Sequence, residues 1–191
     1  MVYLVAGLIL FLGAHSVRIV ADDWRSAQLV RLGEKGWKGL YSLVSLAGLV
    51  LIVWGYGQTR MAPVDLWTPP LWTRHLASLL TLLSFVLITA AYVPRNHLKQ
   101  RIGHPMLAGV KLWAFAHLLA NGRLADVVLF GAFLVWAAVD FRAARRRDRL
   151  AGVRYPAGTP AGTVMTLVVG ALAWAAFAFY LHAWLIGVRP F

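Results

Sequence analysis

The chain has 191 residues, of which 60% are hydrophobic and only 14% are charged. Soluble globular domains carry about a quarter charged residues, so an ordinary soluble domain is excluded. The net charge is +12, which would suit a nucleic-acid partner only if the basic residues formed one surface. The chain has no cysteine, which excludes disulfides, thiolate metal ligands and covalent haem attachment.

Apolar stretches long enough to cross a bilayer recur along the whole chain. Six transmembrane helices are predicted, at 2–20, 39–57, 74–93, 105–120, 124–140 and 163–186. The stretch 105–120 contains Lys111 and is the weakest, but the alternation of basic loops requires it. The predicted fold is therefore all-α, a polytopic membrane protein forming one domain over 1–191, with a bundle of six transmembrane helices.

The basic residues are concentrated in alternate connections between the predicted helices. Thirteen of the nineteen lie after the first, third and fifth helices: Arg25, Arg31, Lys35, Lys38, Arg95, Lys99, Arg101, Arg142, Arg145, Arg146, Arg147, Arg149 and Arg154. The positive-inside rule then places these three connections in the cytoplasm and both termini outside. The charge therefore indicates orientation and contact with membrane lipids, and no nucleic-acid partner is expected.

Histidines inside the predicted helices are the main candidates for function, because ionisable groups are costly within a bilayer. His15 lies about thirteen residues from the outer end of its helix, and His117 about twelve from the inner end of its own, so both are expected near mid-membrane. Two such imidazoles on facing helices could hold one iron. They can equally hydrogen-bond Ser16, Asn121 or backbone carbonyls. His182 lies closer to a helix end and is a weaker candidate.

The neighbours of His117 suit a flat aromatic cofactor. Trp113 and Ala114 share its helix face, so a bulky ring would form a wall beside the space left by a small residue. Neutral imidazole is a usual haem ligand.

Three basic residues are candidates for contacts at the edge of such a cofactor. Arg18 lies one turn from His15 and is expected to pair with a haem propionate, with Lys111 as a second candidate. His104 precedes Pro105, a residue suited to a first helical position. Its expected role is a helix cap, a propionate partner or a substrate contact.

Three blocks of sequence resemble the NnrU protein family: AHSVR at 14–18, VPRNHL at 93–98 and HPMLAGVKLWAFAHLLANG at 104–122. NnrU proteins are bacterial inner-membrane proteins associated with denitrification and nitric-oxide metabolism. The same domain occurs in plant zeta-carotene isomerase, a more distant resemblance, which uses haem b to isomerise a cis double bond. The resemblance implies a multi-pass inner-membrane protein with noncovalent haem b, held by His15 and His117 as axial iron ligands.

The chain departs from its relatives at three positions. Ala114 stands where the plant isomerases have a cysteine, so exchange of a thiolate for an imidazole is not available here. Gly103 and Arg123 stand where many family members have an arginine and an acid.

Several functions follow from these observations. The first is a haem protein acting in redox, gas-binding or isomerase chemistry, with nitric oxide or an apolar polyene as ligand and respiratory or denitrification proteins as partners. The alternatives are a membrane methyltransferase, which would share the His-Pro pair at a helix start, a haem-free assembly factor, and a small transporter. The absence of repeated halves argues against the transporter. No catalytic residue is predicted from the sequence. Both an enzymatic and a non-enzymatic role are consistent with it.

Overall fold

The structure is a computed structural model that describes residues 1–190. Within these residues there are helices and connecting segments but no β-strand, apart from an isolated antiparallel bridge between Asp65 and Arg123. The helices are α1 (Val2–Val20), α2 (Asp22–Thr59), α3 (Leu71–Tyr92), α4 (His97–Ile102), α5 (Pro105–Ala120), α6 (Leu124–Leu150), α7 (Pro160–Ala176) and α8 (His182–Ile186). A π-helical turn, Phe177–Leu181, joins α7 to α8.

Between residues 1 and 190, five helical segments are long and apolar enough to cross a membrane. They are α1, α2, α3, α6 and the continuous segment Pro160–Ile186. The expected all-helical membrane-type architecture is thereby confirmed. The remaining apolar helix, α5, has 16 residues and is shorter than the usual span. The sixth span and the orientation of the termini stay predictions.

The chain divides into two compact units. The first contains Met1–Leu66 and Arg123–Ala132, and the second contains Trp67–Gly122 and the chain from Phe133 onward. The first turns of α6 thus belong to the first unit and the rest of that helix to the second.

Close approach of α1 and α2 builds the first unit. A Cβ atom added at Gly7 would lie 2.6 Å from the backbone nitrogen of Ile52, and one added at Gly48 would lie 2.7 Å from that of Phe11. No side chain larger than hydrogen fits at these distances. The two backbones therefore pack directly against each other, as small residues allow in membrane helices.

Gly48→Val is expected to lower the midpoint of thermal unfolding in detergent, because the new side chain must push the two backbones apart. Overpacking of this kind costs about 1–3 kcal/mol. Gly39→Val is the matched control, since an added Cβ there meets nothing within 4 Å. If both variants lowered the unfolding midpoint equally, the close packing of α1 against α2 would be contradicted.

Three of the predicted connections contain helix: α4 lies in the one after the third predicted helix, and the other two are parts of longer helices. The basic stretch 22–38 forms the start of α2, which is interrupted at Gly33 with φ 71° and ψ 165°. Glycine adopts such a positive φ without the steric cost of a side chain. The stretch 141–150 continues α6, because alanine and arginine are good helix formers. Many of the basic residues therefore lie on helices that extend beyond the apolar runs.

The second unit is assembled around α3, which packs against both α5 and α7. The buried Ser84 hydroxyl donates to the carbonyl of Gly109 on α5, at 2.8 Å. On the other side of α3, a Cβ at Gly170 of α7 would lie 2.7 Å from the Cα of Val86. Small residues thus allow both neighbours to approach α3 closely.

A buried asparagine fixes the turn from α3 into α4. Asn96 is 1% exposed, and its amide nitrogen donates to the carbonyls of Ala90 and Val93 at 2.9 and 2.6 Å. Its amide oxygen accepts from the backbone nitrogen of Lys99, at 2.7 Å, and so caps α4. Both polar atoms of this side chain form hydrogen bonds, so burying Asn96 leaves no unsatisfied polar group.

Candidate functional site

His15 is held on α1 by a hydrogen bond to its own helix. Its Nδ1 lies 2.7 Å from the carbonyl oxygen of Phe11, and its ring stacks on the Phe11 ring with centroids 4.2 Å apart. The ring of Tyr41 on α2 lies at 5.2 Å. Because a carbonyl oxygen only accepts, Nδ1 must carry the proton, and the lone pair of the neutral ring is on Nε2.

His117 has the same arrangement on α5. Its Nδ1 donates to the carbonyl of Trp113, at 2.8 Å, and the two rings lie 5.1 Å apart. Trp113 in turn packs edge-on against Phe133, at 5.6 Å. The neutral His117 ring therefore also places its lone pair on Nε2.

The other histidines are bound differently. His97 contacts the hydroxyl of Thr163 at 2.7 Å, and His182 donates from Nδ1 to the carbonyl of Val188 beyond the end of its helix. His75 is exposed. Among the hydrogen bonds of residues 1–190, His15 and His117 are the histidines that donate to the carbonyl four residues earlier within an apolar helix.

His104 belongs to a separate polar cluster, defined here as His104, Asp148 and Tyr155. His104 Nε2 donates to Asp148 Oδ2 at 2.8 Å, and the Tyr155 hydroxyl donates to the same oxygen at 2.6 Å. The Tyr155 hydroxyl also lies 3.2 Å from His104 Nε2. His104 occupies the N-cap position of α5, but its side chain makes no capping hydrogen bond. The cluster instead ties the start of α5 to the end of α6 and to the segment that follows it.

Gly103 lets this cluster form. Its φ is 77°, and an added Cβ would lie 2.9 Å from both Arg145 Nη1 and Tyr155 Cε2. A residue with a side chain would be strained at this φ and would collide with Tyr155. The glycine that departs from the family pattern is therefore required by the position of Tyr155.

The two basic candidates for propionate binding have other contacts. Arg18 lies 4.0 Å from Asp22, and its side chain is 58% exposed. Lys111 places its ammonium group 3.9 Å from the centroid of the Phe141 ring, a cation–π contact. Their expected role beside a cofactor stays a prediction.

A family model described as NnrU protein matches residues 3–190. The chain belongs to the NnrU family. Comparisons with curated proteins and with solved structures found no match. The match covers both units of this NnrU chain and includes both histidines that share the backbone hydrogen bond.

The remaining predicted contacts of this NnrU chain lie on α5. Ala114 is completely buried, with no exposed surface, and Trp113 is partly exposed. Trp113 thus remains accessible beside His117, as an aromatic wall requires, whereas Ala114 is enclosed by protein. Contact of either residue with a cofactor is still a prediction.

Within residues 1–190 of this NnrU chain, no group of three or more histidine or acidic side chains is arranged to hold a metal ion. A haem iron takes only its axial ligands from the protein, so two histidines suffice.

Three residues near the candidate histidines were not identified from the sequence. Tyr41 lies beside His15, while Asp148 and Tyr155 contact His104. The only sequence signal for Asp148 is that it is the single acid in the basic run 145–149. Ser45, one helical turn after Tyr41, has a buried hydroxyl with no hydrogen-bond partner among the described residues.

Tyr155→Phe is expected to destabilise the second unit by about 1 kcal/mol, through loss of the hydrogen bond to Asp148. Burial and the Asp148 carboxylate raise the pKa of Tyr155 to about 12. Because the folded-state pKa is raised, this stabilisation is complete below pH 10 and is lost between about pH 10 and 12. The difference in unfolding midpoint between wild type and variant, measured from pH 8 upward, checks this.

Tyr92→Phe is the control for this experiment, since Tyr92 is an exposed tyrosine at the end of α3. It should leave the unfolding midpoint unchanged. A difference for Tyr155→Phe that persists undiminished up to pH 12 would contradict the assignment.

Proposed function

We propose that this NnrU-family chain is an integral membrane protein that binds haem b, with Nε2 of His15 and Nε2 of His117 as axial iron ligands. The observation that supports this is the hydrogen bond from Nδ1 of each ring to the carbonyl four residues earlier. Metal-binding histidines usually donate their second ring nitrogen in this way, which fixes the tautomer and raises the basicity of the ligating nitrogen.

The donor set fits noncovalent haem. The chain has no cysteine, and two neutral imidazoles are a common pair of axial ligands. The Phe11 ring against His15 and the Trp113 ring beside His117 are apolar, as a porphyrin environment requires. The buried Ser45 hydroxyl, one turn from Tyr41, offers a polar group on the His15 side.

Four further residues complete the proposed cofactor site. Trp113 is the aromatic wall, and Ala114, which is enclosed by protein, is the small residue packed next to it. Arg18 binds a propionate: its side chain is 58% exposed and its distance to Asp22 is 4.0 Å, so this weak ion pair can be exchanged. His104 is kept as a second polar contact, oriented by Asp148.

The proposed topology has six spans, with α5 as the short one, both termini outside and the basic connections in the cytoplasm of a bacterial inner membrane. A helix of 16 residues rises about 24 Å, so it nearly crosses the hydrocarbon core. The proposed setting is nitric-oxide or denitrification metabolism, alongside respiratory or denitrification proteins.

When bound, haem supplies redox, gas-binding or Lewis-acid chemistry at its iron. The part of this chain is to present two oriented imidazoles and to keep water away with the surrounding aromatic rings. If both histidines stay bound, electron transfer is favoured. If only one histidine were to hold the haem, nitric-oxide binding or isomerisation of the zeta-carotene type would be favoured instead.

The protein purified in detergent after expression with ample haem is expected to show a Soret band. His15→Ala and His117→Ala should each abolish or shift that band, because each removes one axial ligand. His75→Ala should leave it unchanged, since His75 is exposed. A protein without a Soret band, or with a band insensitive to both substitutions, would refute the proposal.

Spectra of the reduced protein with and without nitric oxide separate the proposed chemistries. An unchanged spectrum indicates that both histidines hold the iron and favours electron transfer. A shifted spectrum indicates that one histidine is displaced and favours gas binding or isomerisation.

A further inference from the structure

Lys111 of α5 lies beside the residue that precedes Arg142 of α6, which brings two cations to the same level of the second unit. The Lys111 ammonium lies 3.9 Å from the centre of the Phe141 ring, and Arg142 is the next residue along α6. Because like charges repel each other, an anion between or beside the two cations would stabilise them.

Lys111 and Arg142 lie near the end of the apolar part of α6. The first part of α6, residues 124–139, is apolar except for Asp126 near its start, and charges resume at Asp140. Lys111 contacts Phe141, so it lies where the apolar run of α6 ends. In a membrane, that is the boundary between the hydrocarbon core and the headgroups.

Acidic side chains of the protein do not neutralise the pair. The second unit contains two acids, Asp140 and Asp148. Asp140 pairs with Arg147 at 3.5 Å, and Asp148 accepts from His104 and Tyr155. Among the ion pairs of residues 1–190, none involves Lys111 or Arg142.

We propose that Lys111 and Arg142 bind the phosphate group of an anionic phospholipid, such as phosphatidylglycerol. The two cations supply the charge complement, and the Phe141 ring beside Lys111 provides an apolar surface for the start of an acyl chain. Basic pockets between membrane helices recognise headgroups in this way. The inference rests on the membrane embedding in the proposed function, but it does not depend on haem.

Native mass spectrometry of the purified protein, in neutral detergent with equal amounts of phosphatidylglycerol and phosphatidylcholine, tests this. The wild type should retain phosphatidylglycerol in preference. Lys111→Gln and Arg142→Gln should each reduce the preference about fivefold, the effect expected for one basic residue near a headgroup. Lys111→Arg should retain it, which also shows that substitution at this position is compatible with folding.

Arg149→Gln is the matched control. Arg149 lies seven residues after Arg142 on the same face of α6, about 10 Å farther along the axis, and is also exposed. This control should keep the preference. Equal retention of the two lipids by the wild type, or an equal loss in Arg149→Gln and Arg142→Gln, would overturn the specific site.

Measuring haem content on the same samples separates the two proposals. If Lys111→Gln lowers haem content and leaves lipid retention unchanged, the pair binds a propionate and the lipid site is wrong. A protein that lacks haem but retains phosphatidylglycerol through Lys111 and Arg142 supports the lipid site and contradicts the haem function.

Discussion

A histidine inside an apolar helix needs an acceptor for its ring N–H, because few water molecules are available there. His15 and His117 use the nearest acceptor, the carbonyl four residues earlier, at 2.7 and 2.8 Å. A buried, unsatisfied N–H would cost about 1–3 kcal/mol, so this contact also selects the ring orientation. The candidate site depends on it, because the same bond that lowers the cost of burial directs Nε2 away from the helix backbone.

Much of the helical framework could be predicted from the sequence, because apolar runs and helix-start residues are local features of the chain. The predicted boundaries 2–20 and 105–120 coincide with α1 and α5. Pro105 begins α5, and the chain leaves the helix at Asn121. The errors concern three polar helical segments, 22–38, 97–102 and 141–150. They are rich in basic residues, and hydropathy alone does not distinguish a polar helix from a loop.

The candidate site was predictable to different extents. Hydrogen bonds of the two central histidines to backbone carbonyls were one of the open alternatives, since they span only four residues. The partners of His104 lie 44 and 51 residues away along the chain. Nothing in periodicity or composition brings Asp148 and Tyr155 to His104, because their meeting depends on how α5, α6 and the following segment pack.

The direct contact of α1 with α2 has a consequence for how a ligand would be received. With backbone against backbone at Gly7 and Gly48, α1 can neither rotate about its axis nor slide along α2 without a steric collision. The direction in which His15 projects from α1 is thus set by helix packing and does not depend on a bound ligand. Preorganisation of this kind spares a ligand the entropy of ordering its own site.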